Sequence, residues 1–197
     1  LDMARVKRLD YMAIRERHIA DFSAYMRRVD FALGGEKADG LPTDERLARF
    51  AQGGRDAGLI ELIFQFGRYL MVSASRPGSH AMNLQGIWND NVRPPWKSDY
   101  TVNINTEMNY WPAEPLGLPE MHAPLFDLLG ALREAGAQAA HDWYGARGMA
   151  AHHNVDIWAH ATPVGAGRRG IARWSFWPMS AAWMSRHLFD HYLYSQD

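Results

Sequence analysis

The segment Leu59–Val72, LIELIFQFGRYLMV, constrains the fold more than any other stretch of this chain. Apolar residues fall on nearly every face of the helix it would form, and only Glu61, Gln65 and Arg68 interrupt them. A helix that is apolar all round is buried all round. The fold must therefore supply neighbours on every side of it, and few other helices are on offer.

Those others are legible from apolar spacing. Ile19, Phe22, Met26, Val29 and Leu33 share one helical face, so residues 3 to about 33 predict one long helix stopped by Gly34-Gly35. Residues 34–42 form a polar loop. Thr43 is the expected N-cap of a short helix that Gly53-Gly54 closes. Residues 106–112 predict a short helix ending before Pro112. Pro119 opens a long one to about residue 143, with Leu125, Leu128, Leu129, Leu132, Ala139 and Trp143 as its stripe. Pro178 opens the last, marked on one side by Trp183, His187, Leu188, His191 and Tyr192. No segment reads as a convincing strand, so the predicted fold class is all-α. Long connections at 75–105 and 145–173 alternate with short ones, as in a toroid of helix hairpins whose long loops gather at one end.

Composition narrows the function classes. The 197 residues carry 21 Lys plus Arg against 22 Asp plus Glu, a net charge of -1, so bulk charge does not hold the chain to nucleic acid. An apolar fraction of 47% excludes disorder. No run is long and apolar enough to span a membrane. With no Cys there is no disulfide, thiolate nucleophile or thiolate metal site, and the redox compartment stays open. The first twenty residues hold Arg5, Lys7, Arg8, Arg15 and Arg17 in place of an apolar signal core, so a secretion signal is expected only upstream. The length fits one domain or part of a larger one. All eight Trp lie between Trp88 and Trp183, and eight of nine His lie at His80 or later. The first 58 residues are charged and helical, and the rest is aromatic and His-rich.

Three constellations suggest chemistry. In Asp99–Trp111, DYTVNINTEMNYW, extended geometry would point Asn103 and Asn105 to one side, offering carbonyl acceptors and N–H donors to sugar hydroxyls or a water. The same residues would equally serve as a helix cap. In Ala151–Trp158, His152 and Asp156 are four apart and on a helix would share a face. They predict a hydrogen-bonded pair beside a polar pocket, since two ligands are too few for a metal. In Asn83–Asp90, NLQGIWND, with Pro94-Pro95-Trp96, amides alternate with Trp faces, which suits sugars and also suits plain loop packing. The loop carboxylates Asp90, Asp99, Glu107, Glu114 and Asp156 show no local reason for a raised pKa. No nucleophile elbow, phosphate loop or dinucleotide glycine pattern is present.

The segments NLQGIWND, PPW, DYTVNINTEMNYWPAE, PLFDLL, YGARG, HHNVDIW, WPMSAAW and HLFDHY, in that order, resemble the α-L-fucosidases of glycoside hydrolase family 95. The resemblance runs from about Leu59 to Asp197 and loosely back through the first helix. It implies an (α/α)6 barrel preceded by a helical linker: residues 1–58 as the linker and 59–197 as the first half of the barrel. It also implies inverting hydrolysis of terminal α-1,2-linked L-fucose, with some members acting on L-galactose. A Glu would be the general acid, and Asn side chains polarised by an Asp would hold the attacking water. On this reading Asn105 activates the water and Asn103 is its partner. Thr101 stands where the family pattern has His. Trp88, Thr101, His152, His153, Asn154, Asp156, Trp158 and Trp183 are the implied pocket-lining residues. Neither Glu107 nor Asp156 takes the acid's or the polarising role, which are expected beyond Asp197. The resemblance implies a fucosylated glycan as substrate, the remainder of a parent chain to complete the barrel, and a bacterial periplasmic or secreted location; with the composition and ligand count above, no cofactor, no metal, and neither nucleic acid nor membrane as partner is expected. Two other readings remain. One is a non-catalytic sugar-binding helical module. The other is a barrel doing phosphorolysis or elimination, for which Arg168-Arg169 is the one candidate phosphate cluster and surface charge the plainer explanation.

Overall fold

The apolar spacing that predicts helices is realised in a computed structural model that describes residues 10–164 and 171–197. Its helices are α1 (Tyr11–Met26), α2 (Thr43–Ala51), α3 (Ala57–Ala74), α4 (Asn105–Tyr110), α5 (Ala123–Tyr144), the single turn α6 (Ala172–Ser175) and α7 (Ser180–Ser195). The fold class is all-α. The chain divides into two compact units between Val72 and Ser73, inside α3.

In the first unit α1 is shorter than its spacing predicts. The Asp10 carboxylate caps it by accepting from the Ala13 N–H at 2.8 Å. It ends at Met26, seven residues short of Leu33, and the Arg68 guanidinium explains why. That group lies buried on α3 and donates to the carbonyls of Tyr25 at 2.9 Å, Met26 at 2.8 Å and Val29 at 3.3 Å. A cation that takes the carbonyls at the end of a helix replaces the bonds the next turn would have made. Residues 27–33 instead run irregularly, with Phe31 against Phe64 at 4.5 Å between ring centres. The expected extension toward residue 3 lies outside the described residues.

The start of α2 also differs from expectation. Pro42 is its N-cap and Thr43 the first helical residue, with no side-chain cap. Its end behaves as predicted: Gly53 takes φ +89°, and the Gly54 N–H returns to the Arg49 carbonyl at 3.0 Å. Arg46, buried on α2, forms a two-pronged pair with Asp56 at 2.7 and 2.9 Å. The Asp56 carboxylate also accepts from the Leu59 N–H at 3.0 Å, which satisfies the first turn of α3. The Arg46 guanidinium holds that carboxyl well below the usual range. On α3, Ile60, Ile63 and Phe66 stay exposed, so the all-round apolar helix is left partly uncovered.

The second unit has its core in Val102, Tyr110, Leu118, Met121, Leu125, Leu132 and Met184, all fully buried. Tyr110 anchors it through its hydroxyl, which meets Ser75 Oγ at 2.6 Å and accepts from the Met82 N–H at 2.9 Å. Ser75 Oγ donates on to the Met121 carbonyl at 2.8 Å. Helices α5 and α7 pack on each other, as do α4 and α7. Gly145 ends α5 in the left-handed region, where a glycine is unstrained. One feature was not legible as a period: two residues of β1 (Tyr100–Thr101) pair antiparallel with two of β2 (Asn154–Val155), Tyr100 opposite Val155 and Thr101 opposite Asn154. A two-residue strand is too short for alternation to show, and this ladder is what positions the site.

Candidate active site

The ladder brings two distant motifs together. The Val102 N–H donates to the His153 carbonyl at 2.9 Å, and Asn154 Nδ2 donates to Thr101 Oγ1 at 3.2 Å. Beyond the ladder the backbone turns through Val102–Ile104 and enters α4 at Asn105. Asn103 and Asn105 do share a wall, but a turn and a helix start put them there, not the extended geometry the sequence suggested.

That wall belongs to a cavity of about 440 Å3 lined by Leu84, Gln85, Pro95, Trp96, Thr101, Asn103, Asn105 and His153. Gln85 is held by a hydrogen bond from Ser98 Oγ to its Oε1. Trp96, Lys97 and Ser98 all have left-handed φ values of 48°, 58° and 52°. Non-glycine residues held there cost about 1–3 kcal/mol each, and such strain clusters at ligand sites. Here it carries the Trp96 ring to the cavity. Asn103 Oδ1 is buried and has no hydrogen-bond partner among the described residues. A buried carbonyl oxygen left without a donor costs about 1–3 kcal/mol, so this one is poised for a hydroxyl or a water. Burial pushes the His153 imidazole below its ordinary value, which favours the neutral ring with one donor and one acceptor.

A second cavity of about 310 Å3 is lined by Lys97, Asp99, Asn154, Asp156, His160 and Thr162, among others. Partial burial pushes the Asp99 carboxyl up. The expected pairing of His152 with Asp156 is not formed, because the segment is no helix. Asp156 instead accepts from His160 Nδ1 at 2.8 Å and from the backbone N–H of Trp158 at 2.9 Å. Burial alone would raise the Asp156 carboxyl; the bonds from His160 and Trp158 outweigh it and leave the group below its usual range. His152 is fully buried, with Nδ1 on the Ala161 carbonyl at 2.7 Å and Nε2 on the Tyr144 hydroxyl at 2.6 Å. It lines neither cavity.

The tryptophans scatter. Trp88 is half exposed and lies over Gly86, where a Cβ would come within 2.8 Å of its ring. Trp158 is largely exposed, and Trp183 sits between Trp111 and Trp177 at 6.3 and 6.0 Å. None of the three lines the amide-walled cavity. The one tryptophan that does, Trp96, lies in the PPW segment. Glu107 is fully buried on α4 and also lies off the cavity wall; burial pushes its carboxyl to about 7. Arg168-Arg169 lie outside the described residues.

Residues 10–197 match the glycosyl hydrolase family 95 catalytic domain. The chain belongs to that family. Among relatives, "Alpha-L-fucosidase 2" of Arabidopsis thaliana is 40% identical over 200 residues, spanning 99% of this chain and 23% of its own length. "Probable alpha-fucosidase A" of Aspergillus niger is 35% identical over 190 residues, spanning 95% and 23%. The chain thus spans about a quarter of these curated relatives. They come from a plant and a mould and lend no support to the expected bacterial source. Three of the segments that carry the resemblance contribute to the cavity lining: DYTVNIN through Thr101, Asn103 and Asn105, PPW through Pro95 and Trp96, and HHNVDIW through His153.

Proposed function

We propose that this chain forms the water-holding wall of an inverting glycoside hydrolase that releases terminal α-1,2-linked L-fucose from glycans. One observation carries the reading: Asn103 presents a buried carbonyl oxygen, without a partner among the described residues, on a cavity wall that it shares with Asn105. The fucosidase names of the relatives supply the sugar. In this mechanism Asn105 holds and orients the attacking water, with Asn103 as its partner. An amide is a weak base, so the step needs a neighbouring anion to polarise it in a dry site, where oriented dipoles act most strongly. The Trp96 face and the neutral His153 ring suit the sugar's C–H face and a hydroxyl.

No carboxylate lines this cavity among the described residues. Inverting hydrolysis needs a carboxylic acid to protonate the leaving oxygen. We therefore assign the acid, and the anion that polarises the amide, to the remainder of a parent chain that completes the barrel. The test uses a fucosyl-α-1,2-galactoside. This chain alone releases no fucose and the complete protein does. In the complete protein, Asn105→Ala lowers the chemical rate by at least about 10²-fold. A near-normal rate removes Asn105 from the mechanism. Turnover by the chain alone, abolished by Glu107→Gln, overturns the placement of the acid.

A further inference from the structure

Away from the cavity, three potential metal ligands meet where no catalytic step needs them. Glu114 follows α4 in a turn fixed by the Leu118 N–H on the Ala113 carbonyl at 2.9 Å and the Gly117 N–H on the Glu114 carbonyl at 3.0 Å. Its Oε1 lies 2.8 Å from His122 Nδ1 and 2.6 Å from His191 Nδ1. His122 immediately precedes α5, and His191 stands on α7. All three donor atoms lie within 4.8 Å of one another. Glu114 and His122 are buried, and His191 is part-exposed, so the cluster keeps one side open to entry.

We propose that Glu114, His122 and His191 form a binding site for a divalent transition ion of the zinc class. The ligand set decides the class. Two imidazole nitrogens and one carboxylate oxygen suit zinc and its neighbours, whereas calcium and magnesium take oxygen ligands. Zinc bonds of ~2.0–2.2 Å place tetrahedral ligand atoms ~3.4 Å apart. The two hydrogen bonds to Glu114 need open by less than ~1 Å to admit the ion. Three protein ligands leave a fourth position for water.

The surroundings supply the orienting group that such a site requires. His122 Nε2 lies 2.8 Å from Nδ1 of the fully buried His187. Without metal, Nδ1–H of both His122 and His191 donates to Glu114, and His187 donates to His122. An ion at His122 Nδ1 moves that ring's proton to Nε2, which then donates to His187 Nδ1, and the proton His187 carried there moves to its own Nε2. His187 thus fixes the ring plane in either state, as the outer partner of a ligating histidine does. Its own Nε2 is buried with no partner among the described residues, and it is the nitrogen that holds the ring's proton in the metal-bound state. The ion would tie the Glu114 turn, the start of α5 and α7 together.

The test strips the chain with a chelator and titrates it with Zn2+ by calorimetry. One ion binds per chain, calcium and magnesium do not compete, and the unfolding temperature rises with zinc. Co2+ in place of zinc gives the intense visible bands of a low-coordinate nitrogen and oxygen site, a readout on the parent chain that needs no variant. His191→Gln, at the exposed edge of the cluster, weakens binding by at least ~100-fold. The exposed His141→Ala leaves it unchanged. No binding, calcium binding as tightly as zinc, a six-coordinate cobalt spectrum, or full affinity in a folded His191→Gln chain each overturns the site. Should His191→Gln fail to fold, the cobalt spectrum of the parent decides.

Discussion

Glu107 offers the sharpest test of how the second unit is built. Its carboxyl is fully buried on α4, both oxygens lack partners among the described residues, and burial raises it to about 7 from an unfolded value of 4.5. No charged neighbour contributes to that shift. Between those two values the unfolded carboxyl is ionised while the native one keeps its proton, so unfolding releases a proton. Stability then falls as pH rises from about 4.5 to about 7 and levels off above. At about 1.36 kcal/mol per pH unit, the fall is on the order of 3 kcal/mol. Glu107→Gln keeps the shape and cannot ionise. Its amide brings its own unpaired groups, a penalty that does not change with pH, so the slope and not the offset is diagnostic. Urea unfolding followed by Trp fluorescence at pH 4.5, 6, 7 and 8 reads it. Every other titrating group contributes equally to both proteins and cancels in the difference. The variant gains on the parent by about 3 kcal/mol across the series. Parallel curves would refute a protonated, sealed Glu107.

Other perturbations address the elements around the site. Arg68→Met strips donors from three carbonyls at the end of α1; we expect a loss of about 3 kcal/mol in urea titration and a rise in amide exchange confined to residues 25–29. Asp56→Asn lowers the unfolding temperature at neutral pH more than Asp39→Asn does. Because the Arg46 pair depresses the Asp56 carboxyl, that gap persists down to about pH 3.8 and closes only below it. Gly86→Ala meets both a left-handed φ of +66° and the Trp88 ring at 2.8 Å; a loss of about 1–2 kcal/mol is expected, with a red-shifted Trp emission that Trp88→Phe abolishes.

The helices were legible because their apolar stripes repeat locally. The exceptions share one cause, a partner distant in sequence. The end of α1 is set by Arg68 more than forty positions on, and nothing between Met26 and Leu33 announces it. The β1–β2 ladder joins residues more than fifty positions apart through two pairs, below the length at which alternation is visible. The histidine of HHNVDIW that reaches the cavity is His153, while His152 turns inward to Ala161 and Tyr144, and the neighbour of Asp156 is His160. Spacing on an assumed helix gave the wrong pair because the backbone there is irregular. The Glu114 cluster did leave a trace: His187 and His191 are four apart on α7, a spacing that places two imidazoles on one helical face. Their meeting with Glu114 and His122 needed the packing of α7.

The fate of the carboxylates explains the character of the cavity. The acidic side chains Asp99, Glu107, Glu114 and Asp156 all lie off its wall. Glu114 is held by two imidazoles and Asp156 by His160, Asp99 lines the second cavity, and Glu107 is sealed in the core. What remains on the wall is neutral: two Asn amides, a Gln amide, a Thr hydroxyl, an uncharged imidazole and an indole face. A carboxylate on that wall would itself deprotonate water, and an amide pair would then add nothing. Neutral dipoles can only orient water and pass on the field of a charge placed outside them. A wall of this kind is chemically useful in proportion to the acid and anion set against it, so the reactivity we assign to Asn103 and Asn105 belongs to a complete barrel and not to the amides alone.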